Sequence, residues 1–372
     1  MKEKDRKEKN PKDLKALVLC AGKGTRLRPL TDSVPKPLIP VANRPILFYI
    51  LNQIKSTGIS EVGIVASPDN VSLIKEATGD GSRWDLHITY IIQEEAKGLA
   101  HAVITSETFL GNSSFLMFLG DNLIKDNLNQ FINAFCFNNY DAFILLKEVP
   151  DPRLFGVAEL DEGGRIIRVV EKPQNPRSKL VLIGVYLFSP EIHNATHSIK
   201  PSWRGELEIT DAIQWLMDRG KKVYSYSISG WWLDTGKKED LLKANQIMLD
   251  EFTGKEIKGN IDIESSISGK VEIGEGTIIK NSRVYGPVAI ASECIILNSE
   301  IGSFTSIGSG CHIKNTNIMN SIILDKCELS NVKMVKNSVM GANVQIADLS
   351  ERAMELFLGS YSQIYVPDSG PS

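Results

Sequence analysis

Apolar and polar positions follow two alternating rhythms from Leu14 to about residue 135. Residues 16–20, 62–66, 88–92 and 115–119 are short apolar runs rich in branched or aromatic side chains, the pattern of buried strands. Between them, residues 45–55, 70–77 and 98–108 space their apolar side chains at helical intervals. The alternation predicts parallel strands joined by crossover helices, an α/β architecture that binds ligands at the carboxyl ends of its strands. From Asp141 to Asp234 strand patterns dominate, over 142–149, 156–160, 166–171 and 180–188. Asp161-Glu162-Gly163-Gly164 reads as a hairpin turn, and 209–219 and 238–252 read as helices.

After about Gly254 the rhythm changes again. Isoleucines recur near a six-residue spacing at Ile261, Ile267 and Ile273, then at Ile295, Ile301, Ile307 and Ile313, with small or polar residues between. A hexapeptide period is the mark of a parallel β-helix, in which each apolar side chain stacks on its equivalent one coil later. The expected organisation is a charged flexible tail over 1–13, an α/β domain over 14–253 and a β-helix over 254–372. Residues 353–359 and the polar tail behind them are expected to cap its open end.

Composition narrows the class. At 372 residues the chain is long enough for two domains, and 42% hydrophobic with 23% charged residues is the balance of a globular protein. A net charge of −3 gives no general attraction to nucleic acid or anionic membrane, so neither is an expected partner. Any polyphosphate must be met by a local group of cations. Five scattered cysteines without a CxxC pair read as buried thiols of a reducing compartment. The N-terminus lacks the apolar core of a signal peptide, so the expected location is the cytoplasm.

The chemistry concentrates in Val18-Leu19-Cys20-Ala21-Gly22-Lys23-Gly24-Thr25-Arg26-Leu27-Arg28-Pro29, where a buried strand empties into a loop with two glycines and several cations. Glycine lets backbone N–H groups approach an anion, and guanidinium answers phosphate in a forked geometry. Lys36, in Pro35-Lys36-Pro37-Leu38, is placed to reach the same point. The spacing is not that of a Walker A loop, and Pro29 prevents the helix that a dinucleotide fingerprint requires. The loop therefore predicts a polyphosphate site of another kind.

These residues resemble the signature of the sugar-1-phosphate nucleotidylyltransferases. Gln93 with Gly98-Leu99-Ala100-His101-Ala102 is similar to the base-reading segment of the glucose-1-phosphate thymidylyltransferases. Leu119-Gly120-Asp121-Asn122, Phe155-Gly156-Val157, Val170-Glu171-Lys172-Pro173, Arg204-Gly205-Glu206-Leu207-Glu208-Ile209-Thr210-Asp211 and Trp232-Leu233-Asp234-Thr235-Gly236 follow in the family's order. The resemblance covers about residues 14 to 252, and the tail resembles that of the long form. It implies a Rossmann-like nucleotidyltransferase domain with a mixed sheet, followed by a left-handed parallel β-helix.

The resemblance also implies roles. Arg26, Lys36 and Lys172 are the catalytic cations, with Lys172 holding the sugar phosphate. Ala21, Gly22, Gly24, Thr25, Arg26, Gln93 and Gly98 bind nucleotide; Gly120, Gly156, Glu171, Lys172, Gly184 and Glu206 bind sugar. Asp121 and Asp234 are expected to converge on one Mg2+, because two carboxylates facing phosphate oxygens need a cation between them. Asp121 would otherwise cap a following helix, and Glu206 would otherwise cap the helix after it. The implied substrates are dTTP, or UTP, and glucose 1-phosphate. Pro37 resembles uridylyl- and guanylyl-transferring relatives rather than the thymidylyl group. The rival readings are a uridylyltransferase, a bifunctional enzyme with an acetyltransferase β-helix, and a non-catalytic sensor subunit. The β-helix is expected to serve homo-oligomerisation.

Overall fold

The computed structural model describes residues 11–349 and 353–365. Of the charged tail, Pro11–Asp13 form a 3-10 turn, and residues 1–10 lie outside the described residues. So do residues 366–372 of the expected cap. Spatial proximity divides the chain into two compact units. One runs to Gly22 and resumes from Leu47 to Asp234; the other takes Lys23–Ile46 and the chain from Thr235 onward. This grouping differs from a single boundary near residue 253, because the segment after the glycine loop leaves the sheet and packs with the C-terminal part.

The first unit is built on a nine-stranded mixed sheet. Lys15–Leu19 lies between Glu61–Ala66 and Phe115–Leu119, parallel to both, and His87–Ile92 extends the parallel half. Leu180–Phe188 then pairs antiparallel with Phe115–Leu119 and leads into an antiparallel half formed by Ala142–Glu148, Gly156–Leu160 and Ile166–Glu171. Val223–Ser227 joins Ala142–Glu148 in parallel. The central strands, Lys15–Leu19, Glu61–Ala66, Phe115–Leu119, Ala142–Glu148 and Leu180–Phe188, are buried on both faces over most of their length, which explains why they read as apolar runs. The Phe115 and Phe188 rings meet at 5.7 Å in this core.

Most expected elements occur within one or two residues. The helix expected over 98–108 is two pieces, Leu99–Thr105 and Glu107–Leu110. They divide at buried Ser106, whose hydroxyl donates back to the Ala102 carbonyl at 2.7 Å. Two helices escaped the pattern, Leu128–Asn138 and Glu191–Ser198. The first did carry a local signal: Asn127 caps it by accepting from Asn129 N–H at 2.9 Å. Asn122–Ile124 and Trp232–Asp234 are also new, and at three residues each they are too short for any periodicity to register.

The second unit contains the helix Lys238–Phe252 and three stacked sheets of parallel strands, the expected left-handed β-helix. Ile279 pairs with Ile296 and Ile296 with Ile313, so these coils take 17 residues (296 − 279 and 313 − 296) rather than three sixes, and the next takes 16 (329 − 313). One side is a residue short, and it shifts the inward position. Ile296 is fully buried, whereas Ile295, which the six-residue series selects, is only partly buried beside it. Residues 353–365 do not cover the end from outside. They add a last coil, with Ala353–Met354, Phe357–Leu358 and Gln363–Tyr365 continuing the three sheets.

At one corner of the coils Asn281, Asn298, Asn315, Asn331 and Asp348 all hold left-handed backbone, with φ from 44° to 60°. Asparagine tolerates that conformation better than most residues. Each asparagine Nδ2 donates to the Oδ1 one coil on, at 2.9, 3.1, 2.7 and 2.7 Å, and the series ends on Asp348.

The register gives a direct test. Ile296→Ala should lower solenoid stability by about 2–5 kcal/mol through cavity formation, and Ile295→Ala by about 1 kcal/mol or less. Urea denaturation followed by circular dichroism reads the difference; equal effects would contradict the 17-residue coil.

Candidate active site

The central strands end side by side. Gly120 N–H donates to the Leu19 carbonyl at 2.8 Å, and a Cβ on Gly120 would stand 2.5 Å from Cys20 Sγ. Only glycine permits this approach, which sets Asp121 beside the start of the Ala21-Gly22 loop. Burial pushes the Cys20 thiol pKa well up, and the Asp121 charge adds to the shift. Asp121 precedes the strand Asn122–Ile124, so it is not a helix cap.

That strand pairs antiparallel with Trp232–Asp234, and Asp234 stands opposite Asn122. Asp234 thereby stands opposite the residue that follows Asp121. Trp232 Nε1–H donates to Asn122 Oδ1 at 3.2 Å across the same ladder, and the Trp232 ring meets Phe155 edge-on at 5.3 Å. Gly184 closes this corner: its φ is +78°, and a Cβ there would lie 2.5 Å from both Asn122 Nδ2 and Leu119 Cδ1. The long strand Leu180–Phe188 shifts register between Leu182 and Tyr186 to accommodate it.

Next to Phe155, Gly156 faces the carboxylate of Glu171, whose Oε2 would be 3.2 Å from a Cβ at position 156. Glu171 also accepts from Thr210 Oγ1 at 3.3 Å. Arg204 ties the acids of this region together. Its guanidinium reaches Glu206 at 2.8 Å, Glu208 at 3.1 Å and Glu171 at 3.6 Å. Lys172 Nζ is 3.4 Å from Glu171. Burial raises the Glu171 pKa, and the Lys172 and Arg204 charges oppose that shift. Lys172 itself has φ +40°, an uncommon conformation for a side-chain-bearing residue and more so before proline. Its N–H donates to Phe155 O at 3.0 Å, which fixes the strained peptide against the Gly156 strand. Glu206 does not cap the following helix; Glu208 occupies that position without a side-chain capping bond.

Leu207 connects this cluster to the third group. Its N–H donates to Lys97 O at 2.7 Å and its carbonyl accepts from Ala100 N–H at 3.1 Å. Gly98 lies so close that a Cβ would stand 2.4 Å from Leu207 O. Gln93, buried at the end of His87–Ile92, directs Nε2 to Gly98 O at 3.2 Å and to His101 Nδ1 at 2.9 Å. Burial lowers the His101 pKa, with a further push from Lys97. The neutral ring then offers Nδ1 as an acceptor, and Gln93 Oε1 is the remaining acceptor of that side chain.

In the second unit, Gly24 takes φ +62° and opens the 3-10 turn Thr25–Leu27. Its carbonyl accepts from Leu27 N–H and from Thr31 Oγ1, both at 2.9 Å. A Cβ at position 24 would lie 3.3 Å from the Lys36 Cβ, so the loop folds back on the Lys36 turn. Lys36 is 7% exposed. The Arg26 guanidinium lies against Gly236, 3.0 Å from where a Cβ would be.

Within the first unit Gly98 packs on Leu207, Arg204 pairs with Glu171 beside Gly156, and Phe155 meets Trp232, which bonds to Asn122 opposite Asp234. Gly24, Thr25, Arg26 and Lys36 belong to the second unit. Arg204, Asn122, Trp232 and His101 were present in matched motifs but had no assigned task. Their signal was adjacency to residues that had one. Among the described residues no helix is long and apolar enough to cross a membrane.

Comparison with known proteins agrees with this geometry. The family model for nucleotidyl transferases matches residues 15–251. A glucose-1-phosphate thymidylyltransferase of Streptomyces griseus is 45% identical, over 95% of this chain and 99% of its own. One of Streptomyces antibioticus is 43% identical over the same shares. A Bacillus anthracis chain, solved as a glucose-1-phosphate thymidylyltransferase in complex with a sucrose, superposes with a TM-score of 0.61 at 33% identity. That likeness covers 65% of this chain and 98% of the other.

The Gln93–His101 contact has a pH signature. His101 titrates near 6.5 when unfolded and below that when folded. Its contribution to stability is complete above about pH 6.5 and is lost as pH falls through the window beneath it. His101→Asn should flatten that part of the decline, measured as urea midpoints between pH 7.5 and 5.0; an unchanged profile would refute the buried acceptor.

Proposed function

Because this chain belongs to the nucleotidyl transferase family, we propose that it transfers dTMP from dTTP to α-D-glucose 1-phosphate, giving dTDP-glucose and pyrophosphate. The observation that supports the reading is the pairing of Asp234 with Asn122, the residue that follows Asp121. Near-full-length similarity to thymidylyltransferases favours dTTP over UTP.

The attacking group is already a phosphate oxygen, so no side chain need become covalently attached. The protein must align the sugar phosphate with the α-phosphorus and offset charge as pyrophosphate leaves. Lys172 is the residue to hold the sugar phosphate, and its strained peptide aims it. Glu171 and Glu206 accept from sugar hydroxyls, with Arg204 setting both carboxylates. Gly120, Gly156 and Gly184 let substrate and backbone approach. Arg26 and Lys36 neutralise the triphosphate, lined by the Ala21, Gly22, Gly24 and Thr25 amides. Gln93 Oε1 accepts from the imide N–H of the base, beside Gly98.

The donor set of Asp121 and Asp234 suits a divalent ion. Two hard carboxylates match Mg2+, which takes one or two protein carboxylates and completes its shell with water and phosphate. When bound, the ion would supply Lewis-acid stabilisation of phosphate charge. The reading includes a catalytic domain over 14–253, a cytoplasmic location and a homo-oligomer. The product suits deoxysugar or polysaccharide precursor synthesis.

A grid of four nucleoside triphosphates against several hexose 1-phosphates, scored by pyrophosphate release, tests the substrates. Release should be greatest with dTTP and glucose 1-phosphate; greater turnover with UTP would make the enzyme a uridylyltransferase. Asp234→Asn should lower kcat by about a hundredfold or more at unchanged melting temperature. Gln93→Ala should narrow the gap between pyrimidine and purine triphosphates, and an intact preference would remove Gln93 from base reading.

A further inference from the structure

The β-helix does more in this chain than the expected assembly platform. Its second unit contains the loop with Gly24, Arg26 and Lys36, and a series of buried polar contacts binds that segment to the coils. The hairpin Pro40–Val41 and Arg44–Pro45 turns at Ala42 and Asn43, both with positive φ, 48° and 58°. Two such residues make the tight turn that suits a two-residue hairpin.

At the tip, Asn43 Nδ2 donates to the carbonyls of Ala289 at 3.0 Å and Ile307 at 2.8 Å, residues of successive coils. The adjacent Ala42 N–H donates to Asn245 Oδ1 at 2.8 Å. Asn245 sits fully buried in the middle of the helix Lys238–Phe252, where asparagine is a poor helix former. Its Oδ1 also accepts from Ser306 Oγ at 2.9 Å, and its Nδ2 donates to Phe304 O at 3.0 Å. One amide thus joins hairpin, helix and solenoid.

The solenoid surface is suited to this. In the sheet that holds Val288–Ile290 and Thr305–Ile307, the positions alternating with the core residues are Ala289, Ser306, Ile322 and Val339, and all four are buried. None of the corresponding sites of the His312–Lys314 sheet is buried: His312, Lys314 and Glu328 are exposed, and Ile295, Leu297, Ser330, Gln345 and Ala347 are half-buried. Further along, Ser33 Oγ meets Ser360 Oγ at 2.7 Å, and Pro29 O lies 3.0 Å from where a Cβ on Gly359 would be. The segment is held at both its middle and its far end.

We propose that the β-helix positions the triphosphate loop, with Asn43 and Asn245 as the positioning residues that transmit its rigidity to Arg26 and Lys36. The inference rests on the reading of this loop as the nucleotide site. It goes beyond that reading by making the C-terminal domain part of the catalytic apparatus rather than an appendage. A displacement of about 1 Å at a charge-stabilising group costs up to about a hundredfold in rate, so modest loosening of the hairpin is enough to be seen.

The test uses the full chain. Asn43→Gly keeps the left-handed turn and removes both amide bonds; Asn245→Leu keeps volume and removes the hub. Hydrogen exchange of residues 23–46 should accelerate about tenfold or more in each, with exchange of the central coils unchanged. For dTTP, kcat/KM should fall by about tenfold or more. The KM for glucose 1-phosphate should stay within about twofold. Should Asn245→Leu fail to fold, Asn43→Gly alone decides. Unchanged exchange over 23–46 overturns the inference, and so does faster exchange with intact kcat/KM for dTTP. A wild-type chain that makes no nucleotide sugar overturns the functional reading instead.

Discussion

Backbone pairing between two three-residue strands is the constraint on which the proposed chemistry depends. Asn122–Ile124 and Trp232–Asp234 come from points 110 residues apart (232 − 122), and their ladder alone puts Asp234 opposite Asn122. So short a pair is marginal by itself. It is sustained by its surroundings. The Trp232 indole donates to Asn122, Gly184 packs without a Cβ against the Asn122 amide, and Gly120 sets the preceding turn on Leu19.

The same economy of contact governs the acidic cluster. Three carboxylates in a half-buried space would repel one another and raise their own pKa values, as burial does for Glu171. Arg204 offsets this by bonding to Glu206 and Glu208 and lying within ion-pair distance of Glu171, with a planar donor array that an ammonium group would not reproduce. Lys172 is added to this network by a peptide in an unfavourable conformation, held by the Phe155 carbonyl. Strain of that kind persists only where neighbours over-determine it. Here the neighbours are a strand, a proline and an ion pair.

The legible and illegible parts of the sequence separate on physical grounds. Strands buried on both faces announce themselves as apolar runs, so most of the sheet was readable at near-residue precision; Val223–Ser227, half exposed, was not. Asp121 and Asp234 were readable as acids after apolar strands. The three-residue strands that put Asp234 opposite Asn122 were not, since periodicity needs more residues than they have. The solenoid was readable as a repeat but not in register: a period of six selects Ile295, and the short side of each coil moves the core to Ile296. Asn43 and Asn245 were invisible for another reason. Nothing local marks an asparagine in a turn or helix as a partner of coils beyond residue 285, and only the assembled second unit supplies the acceptors.

The asparagine column also has a consequence for length. Asn298, Asn315 and Asn331 each accept from the coil before and donate to the coil after, so coils of this type can be copied as long as the corner residue keeps its amide. Asp348 receives from Asn331 but, as a carboxylate, has no hydrogen to hand on. Duplication of an internal repeat would extend the column without fault, whereas a repeat appended after Asp348 would meet a corner with no donor to offer. Growth of the gene by tandem copying is therefore open on one side of this residue and discouraged on the other.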